Sequence, residues 1–356
     1  AWLRHWPFFI ENADPLFQQQ ITQSLRRQFR HLIRVAPFGL LQADRFAVYK
    51  GLLIAHLSMP NLKLDLEEIL QWFQRDLDRL LLADGGPASR NPEELLACYM
   101  ELVEIRLAFQ DAGMDTPGPL LNALDRSTAM IKFFRLGDGT LGVFNGGQEN
   151  RPYLIGELLR QSGSKATAPI RAPHTGFERL QAGQMIALLD AGGPPASPHD
   201  RSAHAETGSM EITYGSERLV VNCGLGQDPK WDEARRTTAA HSTLSVNDTN
   251  SSALREKGGF ARRRARCEVT RKDGDGTSWV TVAHDGYLDI YGLQHTRRLY
   301  MGEDGLDFRG EDKLEGPGQK KGETSQFAIR FHLDPKSSIS LVNNHSSALI
   351  KLPGGT

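Results

Sequence analysis

The sequence has few cysteines, no long apolar run and almost no net charge. Its 3 cysteines, Cys98, Cys223 and Cys267, are widely spaced among 356 residues. The spacing excludes a paired-cysteine metal motif, and the odd number argues against a disulfide framework, so we expect free thiols. No run approaches the roughly 18 apolar residues of a membrane span. The formal net charge of −1 gives the whole chain no electrostatic reason to bind nucleic acid.

The front of the chain has the periodicity of consecutive helices. Apolar residues recur there at helical spacing, and capping residues mark where helices begin, as in Asp65 with Glu68 three residues later and Asn91 before Pro92. Short connections between such helices predict antiparallel pairs. We therefore predict a helical domain at 1–136, and we expect that helices of the same array precede its first residue.

The rest of the chain has the pattern of short strands separated by glycine turns. Met210–Tyr214 and Arg218–Asn222 flank Gly215-Ser216 and predict a tight hairpin. Many such runs predict an antiparallel β-sandwich rather than a parallel sheet. We place this domain at 174–356 and expect it to be truncated at its C-terminus. We predict a linker at 137–173, in which residues 145–173 are rich in Gly, Ser and Pro. The predicted fold class is α+β multidomain.

Most of the 11 histidines lie in the predicted β-sandwich. A single half-buried histidine is usually satisfied by a main-chain carbonyl, whereas several neutral imidazoles near small residues suit a metal or an acid–base site. His295 and Arg297 are two residues apart in a predicted strand, so both point to one face, either a cleft or solvent. The histidines considered are His204, His241, His284, His295 and His332.

An ordered series of short motifs resembles the C-terminal domain of heparinase II/III-type polysaccharide lyases. The resemblance covers roughly residues 174 to 335, and the family places a helical region before this domain. It implies an incomplete α/α toroid followed by antiparallel β-sheets, with the active cleft between them. The motifs are, in order, His204, Met210-Glu211-Ile212, Val220–Gly224, Ala240–Thr243, Ala283–Tyr287, His295–Arg298, Gly305 and Glu311-Asp312.

The resemblance implies a bacterial lyase that cleaves a uronate-containing acidic polysaccharide, such as a glycosaminoglycan, by β-elimination. In this reaction a cation or amide neutralises the uronate carboxylate, a base removes the C5 proton, and an acid protonates the departing oxygen. The expected partner is an acidic polysaccharide or oligosaccharide, and no cofactor is required. The implied substrate-binding residues are His295 and Arg297. The implied catalytic residues are His204, His241, Tyr287, His284, Arg90 and Asn91.

The resemblance also implies a metal site, with zinc as the candidate ion. Family members that bind a metal take it through a histidine, an aspartate and a second histidine. His204 and His241 match the two histidines, and Asn222 stands at the acid position. An amide is a weaker zinc ligand than a carboxylate. The alternative is that the two histidines hold sheet edges by hydrogen bonds.

Two positions depart from the family pattern. Ser202 stands where the family often has another histidine, and no tyrosine follows the turn at Asp84 until Tyr99. These departures favour an alternative function, a non-catalytic acidic-carbohydrate-binding protein on the same fold. A third hypothesis is a hydrolase, for which Glu206 and Asp285 would be the paired carboxylates. The family implies a periplasmic or cell-envelope location, with the cytoplasm as the alternative.

Overall fold

A computed structural model describes residues 3, 5–38, 42–59, 65–226, 228–316 and 326–354. Most of its helices precede the first sheet, in agreement with the predicted order of elements. None of the helices in these ranges is long and apolar enough to cross a membrane. The α-helices are α1 (Trp6–Phe9), α2 (Pro15–Val35), α3 (Gln42–Ser58), α4 (Leu66–Leu80), α5 (Pro92–Asp111), α6 (Gly118–Phe134), α7 (Pro152–Gln161), α8 (Asp232–Arg235) and α9 (Leu288–Tyr291).

Side-chain caps start three of the long helices. The Asp14 carboxylate accepts hydrogen bonds from main-chain N–H groups at the start of α2, and Asp65 does the same for α4. Asn91 caps α5 by accepting from the N–H of Glu93, and Pro92 occupies the first turn, where no donor is needed. The helix starts predicted at Asp65 and Asn91 are therefore confirmed. Buried residues of α3 to α7 form one core with residues of the first sheet.

The β part consists of antiparallel sheets. One has the strand order β1-β2-β3-β4-β5-β12, and a second has the order β10-β9-β8-β7; β11 pairs with β6, and β13 with β14. The strands are β1 (Arg171–Ala172), β2 (Phe177–Ala182), β3 (Met185–Asp190), β4 (Met210–Tyr214), β5 (Glu217–Val221), β6 (Leu244–Val246), β7 (Cys267–Gly274), β8 (Thr277–Tyr287), β9 (Leu293–Met301), β10 (Phe308–Glu315), β11 (Phe327–Ile329), β12 (His332–Leu333), β13 (Ser338–Val342) and β14 (Ser347–Lys351).

The six-stranded and four-stranded sheets share an apolar core. Leu180, Leu189 and Ile212 of the first sheet pack in one cluster with Val280 and Leu299 of the second. The alternation of buried and exposed residues along β8 and β9 follows from this contact, because successive side chains of a strand point to opposite faces.

The predicted hairpin at Gly215-Ser216 is present. β4 pairs with β5 from Tyr214 opposite Glu217, and Gly215 has a φ of +55°, a conformation that favours glycine. The segment predicted as a linker, 137–173, contains α7, whose Ile155 and Leu158 are buried against the helical core. Its composition predicted irregular structure, and the apolar face of α7 accounts for the difference. The domain bounds themselves stay a prediction.

Candidate functional site

Two histidines and one glutamate meet in the β part. His204 Nδ1 lies 3.2 Å from Nε2 of His241, and His241 Nδ1 lies 3.3 Å from Oε2 of Glu206. His204 is 2% exposed, and the other two residues are each 1% exposed. His204 and Glu206 precede β4, whereas His241 follows a short 3₁₀ helix, Thr238–Ala240. These three residues are called the histidine–glutamate cluster below.

Each member of the cluster has one buried polar atom without a hydrogen-bond partner in the described residues: Nε2 of His204, Nδ1 of His241 and Oε2 of Glu206. His241 Nδ1 and Glu206 Oε2 are close, but their geometry is not that of a hydrogen bond. Buried polar atoms are rarely left unpaired, so such a set indicates a place for a ligand.

The electrostatic environment keeps both imidazoles neutral. Burial lowers the pKa of His204 to about 3, and the positive charge of Arg236 contributes less. Burial also lowers the pKa of His241, with a further contribution from His204. Burial raises the pKa of Glu206 well above its usual range, and the charge of Asp190 adds to this. Neutral imidazoles can act as bases or as metal ligands.

Asn145 links the cluster to the helical part. Its main-chain N–H donates to Glu206 Oε1 at 2.7 Å, and its Nδ2 donates to the carbonyl oxygen of Arg90 at 3.3 Å. Its own carbonyl oxygen accepts from Nδ2 of Asn91 at 3.2 Å. The turn before α5 and the cluster therefore approach each other, with Asn145 between them.

A row of polar groups runs along the junction between α5 and the β part. Glu94, in the first turn of α5, has Oε1 3.5 Å from Oγ of Ser202. A Cβ placed on Gly146 would lie 3.3 Å from Ser202 Cβ and 3.4 Å from His204 Nε2, so the unpaired Nε2 faces this glycine. We call Glu94, Gly146, Ser202 and His204 the helix–sheet seam. Burial raises the pKa of Glu94, although hydrogen bonds with Ser89 and Ser202 oppose the effect.

An open cavity of about 500 Å³ lies at the same junction. Residues of the helical part, including Arg79, and of the β part, including His174 and His199, line it. Nδ1 of His199 has no hydrogen-bond partner among the described residues, and burial, followed by the charge of Arg79, lowers the pKa of His199. A cation beside two imidazoles suits a ligand that carries carboxylate groups and hydroxyls.

Comparison with known proteins identifies the family. A family model described as "Heparinase II/III-like, C-terminal" matches residues 164–356. The chain belongs to the heparinase II/III-like family. It is also 32% identical, over 96% of its length, to FtsZ-localized protein C of Caulobacter vibrioides, and it spans 60% of the length of that relative.

Solved structures share the fold of this heparinase II/III-like chain. The heparan sulfate lyase HepC from Pedobacter heparinus has a TM-score of 0.66 and 16% identity, with 94% of this chain and 54% of that chain covered. A heparinase III has a TM-score of 0.67 and 12% identity, with 94% and 56% covered. The chain thus spans little more than half of each lyase. At these identities the likeness concerns the fold of helices and antiparallel sheets.

In the heparinase II/III-like chain, Arg90 is buried and fully engaged with the β part. Its Nε donates to the carbonyl oxygen of Thr175 at 2.6 Å, and its Nη2 donates to Gly176 O at 3.0 Å and to the Asp190 carboxylate. Its Nη1 donates to Gly193 O. These contacts favour a role in joining the two parts over the predicted role of neutralising a substrate carboxylate. Asn91, as the cap of α5, is similarly engaged.

His284, His295 and Arg297 form a buried network with Asp312. His284 Nε2 lies 2.9 Å from His295 Nδ1, and His295 Nε2 lies 2.7 Å from Asp312 Oδ1. Arg297 donates to both carboxylate oxygens of Asp312, at 2.8 and 2.9 Å, and to two main-chain carbonyls. The face shared by His295 and Arg297 is therefore the protein interior. We call these four residues the buried ion network.

Tyr287 and Asn222 are also engaged within the protein. The Tyr287 hydroxyl donates to Leu244 O at 2.8 Å, and burial raises the pKa of Tyr287. Asn222 Nδ2 donates to Val143 O at 3.1 Å, while its Oδ1 accepts from Ser242 N at 3.4 Å. Among the described residues, the acid that accompanies the two histidines is Glu206 rather than a group at position 222.

The cluster has a donor set that fits zinc. One ligand atom from each of His204, Glu206 and His241 lies within 4.8 Å of the others. Two imidazoles and one carboxylate are common zinc ligands at about 2.0–2.2 Å from the ion. The unpaired atoms of the cluster support this fit, since a bound cation would satisfy buried acceptors that the protein leaves free.

The structure brings together His204 and His241 from the predicted site, with Asn91 connected through Asn145. The remaining candidates form hydrogen bonds or ion pairs elsewhere in the protein interior; they are Arg90, Asn222, His284, Tyr287, His295 and Arg297. Sequence reasoning missed Glu206 as a partner of the histidines. The spacing between His204 and Glu206 could have indicated this, because side chains two residues apart in an extended chain point to the same side. Asp285, its predicted hydrolase partner, instead accepts a hydrogen bond from the main-chain N–H of Arg266 at 2.7 Å.

Proposed function

We propose that this chain is part of a polysaccharide lyase that cleaves a uronate-containing acidic glycan by β-elimination. The observation that carries the proposal is the unpaired Nε2 of neutral His204, which faces Gly146 within the helix–sheet seam. The similar solved structures that are named as heparan sulfate lyases and heparinases support it through their fold. The predicted incomplete toroid and β-sandwich, with a cleft between them, belong to the same proposal.

In this proposal His204 is the base and Glu94 the acid. Nε2 of His204 has a free electron pair with which to take the C5 proton of the uronate. Because burial raises its pKa, Glu94 retains a proton more readily and can donate it to the departing glycosidic oxygen. Ser202 lies between the two residues and would hydrogen-bond to the sugar.

The cavity lined by His199, which stands three residues before Ser202 of the seam, would receive the uronate. Arg79, with His174 and His199, would bind the carboxylate, and neutralising that charge makes the C5 proton easier to remove. This assigns to Arg79 the part that the sequence suggested for Arg90.

His204, Glu206 and His241 would alternatively hold zinc, and the ion would then supply positive charge within the cluster. A histidine that binds zinc through one ring nitrogen carries its proton on the other, so zinc-bound His204 would have no free electron pair for the C5 proton. The ion-free cluster is therefore the form in which His204 would be the base, and there the contact between Nδ1 of His204 and Nε2 of His241 orients the ring.

A second function is favoured by the burial of most predicted catalytic groups. Tyr287, His284 and His295 are each at most 1% exposed and engaged with protein atoms. A non-catalytic acidic-carbohydrate-binding protein needs none of them to reach a substrate. The relative named FtsZ-localized protein C is described by its localisation, which accords with a protein that acts by binding at a particular place.

Product analysis of the complete protein that carries this chain separates these functions. Heparan, chondroitin, hyaluronan and alginate are incubated with it, and products are examined by ultraviolet absorbance and mass spectrometry. Unsaturated uronate ends are expected for a lyase, and saturated ends would indicate a hydrolase. Glu94→Gln should reduce product formation at least about hundredfold. The exposed Glu67 of α4 provides the control Glu67→Gln. Binding without any product would contradict the lyase and favour the second function.

A further inference from the structure

The outer face of the four-stranded sheet carries a row of two aromatic and two basic residues. Lys272 of β7 is opposite Trp279 of β8, Trp279 is opposite Tyr300 of β9, and Tyr300 is opposite Arg309 of β10. Since neighbouring strands are about 4.8 Å apart, the row extends roughly 14 Å across the sheet. We call these four residues the cross-strand row.

The aromatic pair is held in place by its own contacts. The rings of Trp279 and Tyr300 have centroids 4.6 Å apart and are inclined at 45°. The guanidinium of Arg309 lies over the Tyr300 ring at 5.8 Å, and Trp279 remains 42% exposed. The adjacent residues Val280 and Leu299 point to the opposite face and are buried between the sheets. The sheet therefore fixes an aromatic surface that does not contribute to the core.

An open depression of about 430 Å³ adjoins the row. Lys272, Trp279 and Arg298 line it together with Asp275 and Thr277. The depression thus offers cationic donors, a hydroxyl, a carboxylate acceptor and an indole face. Such a mixture suits a ligand with many hydroxyls and occasional negative charges.

The cations on this face are available to a ligand. Lys272 forms no ion pair within the part of the chain that the structure describes, whereas Arg298 lies 3.7 Å from Glu311 and Arg309 lies 2.6 Å from Asp307. Both pairs are solvent-exposed, and exposed ion pairs contribute little stability, so a ligand anion can replace either carboxylate.

We propose that the cross-strand row is a second binding surface for an extended acidic polysaccharide. Sugar rings would stack on Trp279 and Tyr300, with carboxylates directed to Lys272 and Arg298 and hydroxyls to Asp275. The acidic side chains on this face, among them Asp275, Asp307 and Glu311, would repel a densely charged anionic polymer such as nucleic acid. None of the residues that line the depression belongs to the helix–sheet seam, so this surface does not depend on catalysis there.

The test measures binding of polygalacturonate to the complete protein by isothermal titration calorimetry. Trp279→Ala should weaken binding about tenfold, the loss typical of an aromatic anchor, and Lys272→Gln should weaken it severalfold. Trp231→Ala and Lys336→Gln change exposed residues outside the row and should leave affinity unchanged. All variants are repeated with His204→Gln, so that turnover at the seam does not contribute and binding there is the same in every comparison. Thermal unfolding checks that each variant is folded.

Dextran and dextran sulfate distinguish the chemistry that is recognised. The proposal predicts weaker binding of neutral dextran than of polygalacturonate, and a Trp279-dependent interaction with polygalacturonate. It is overturned if the protein binds no polygalacturonate, if Trp279→Ala binds as tightly as the parent, or if Trp231→Ala loses as much affinity. It is also overturned if dextran sulfate binds more tightly and independently of Trp279, because charge alone would then account for the interaction. Failure to detect lyase activity does not contradict the proposed binding surface, because the calorimetric test measures binding and not turnover.

Discussion

His204 Nδ1 lies 3.2 Å from Nε2 of His241, inside a protein interior that also buries Glu206. Two neutral imidazoles in contact, next to a carboxylate with an unpaired oxygen, form an arrangement that either shares protons or holds a cation. The arrangement connects through Asn145 to the cap of α5. This position is why the cluster, rather than the other histidines, is central to the proposed site.

If the cluster holds zinc, Glu206→Gln should lower zinc affinity by at least tenfold, because an amide is a weaker ligand than a carboxylate. Equilibrium dialysis followed by elemental analysis measures the bound metal, and one zinc per chain is expected for the parent protein. Asp285→Asn removes an acid outside the cluster and should have no effect. Equal zinc binding by parent and Glu206→Gln would contradict the assignment.

Asp312→Asn should lower the free energy of unfolding by about 3–5 kcal/mol, because it leaves the buried Arg297 without its ionic partner. Urea unfolding at neutral pH measures the change. Glu311→Gln changes the adjacent residue, which is 64% exposed, and should alter stability by less than about 0.5 kcal/mol. Equal effects of the two substitutions would show that the buried ion network does not stabilise the fold.

Arg90→Gln should destabilise the protein by several kcal/mol, since it removes donors to main-chain carbonyls and leaves Asp190 buried without its cation. Arg79→Gln serves as the control, because Arg79 has a side chain that is 61% exposed. If Arg90 instead acted only on substrate, Arg90→Gln would unfold at the same urea concentration as the parent while losing activity.

Glu211 provides a prediction about pH. Burial raises the pKa of Glu211 to about 7, against the opposing charge of Arg218. Between about pH 4.5 and 7 the folded state therefore binds a proton that the unfolded state has released, so this group's contribution to stability falls as pH rises. A Gln side chain does not ionise. The stability of Glu211→Gln relative to the parent should increase from pH 5 to pH 8, by roughly 3 kcal/mol.

Urea titrations of both proteins at several pH values measure this difference. Glu217→Gln, at an intermediate position on β5, is the control and should show little pH-dependent change relative to the parent. A stability difference between Glu211→Gln and the parent that is constant across this range would show that Glu211 titrates normally in the fold.

The sequence predicts local features of this fold well. Capping at Asp65 and the turn at Gly215 depend on neighbouring residues, and both were recognisable. α7 was missed because its short apolar face lies in a segment whose composition resembles a linker. The ordered histidine motifs predicted the heparinase II/III-like family, and the family match to residues 164–356 confirms that prediction.

The roles of individual side chains depend on contacts between distant parts of the chain. Arg90 was a candidate ligand for substrate because it follows a polar turn, but its partners Thr175 and Asp190 lie far away in sequence. Tyr287 follows a glycine, as an exposed turn residue would, yet the pairing of β8 with β9 encloses it. Such long-range contacts leave no local pattern in the sequence. The local sequence around these residues therefore predicted a role in the site, whereas the folded chain engages them in interior contacts.

The most direct test of the proposed function is the rate at which the complete protein produces ultraviolet-absorbing unsaturated uronate, compared with His204→Gln and the matched surface control His31→Gln. We expect production from at least one uronate polysaccharide, a fall of at least about hundredfold in His204→Gln, and an unchanged rate in His31→Gln. Absence of unsaturated product from every uronate polysaccharide, or an equal rate in His204→Gln, would contradict it.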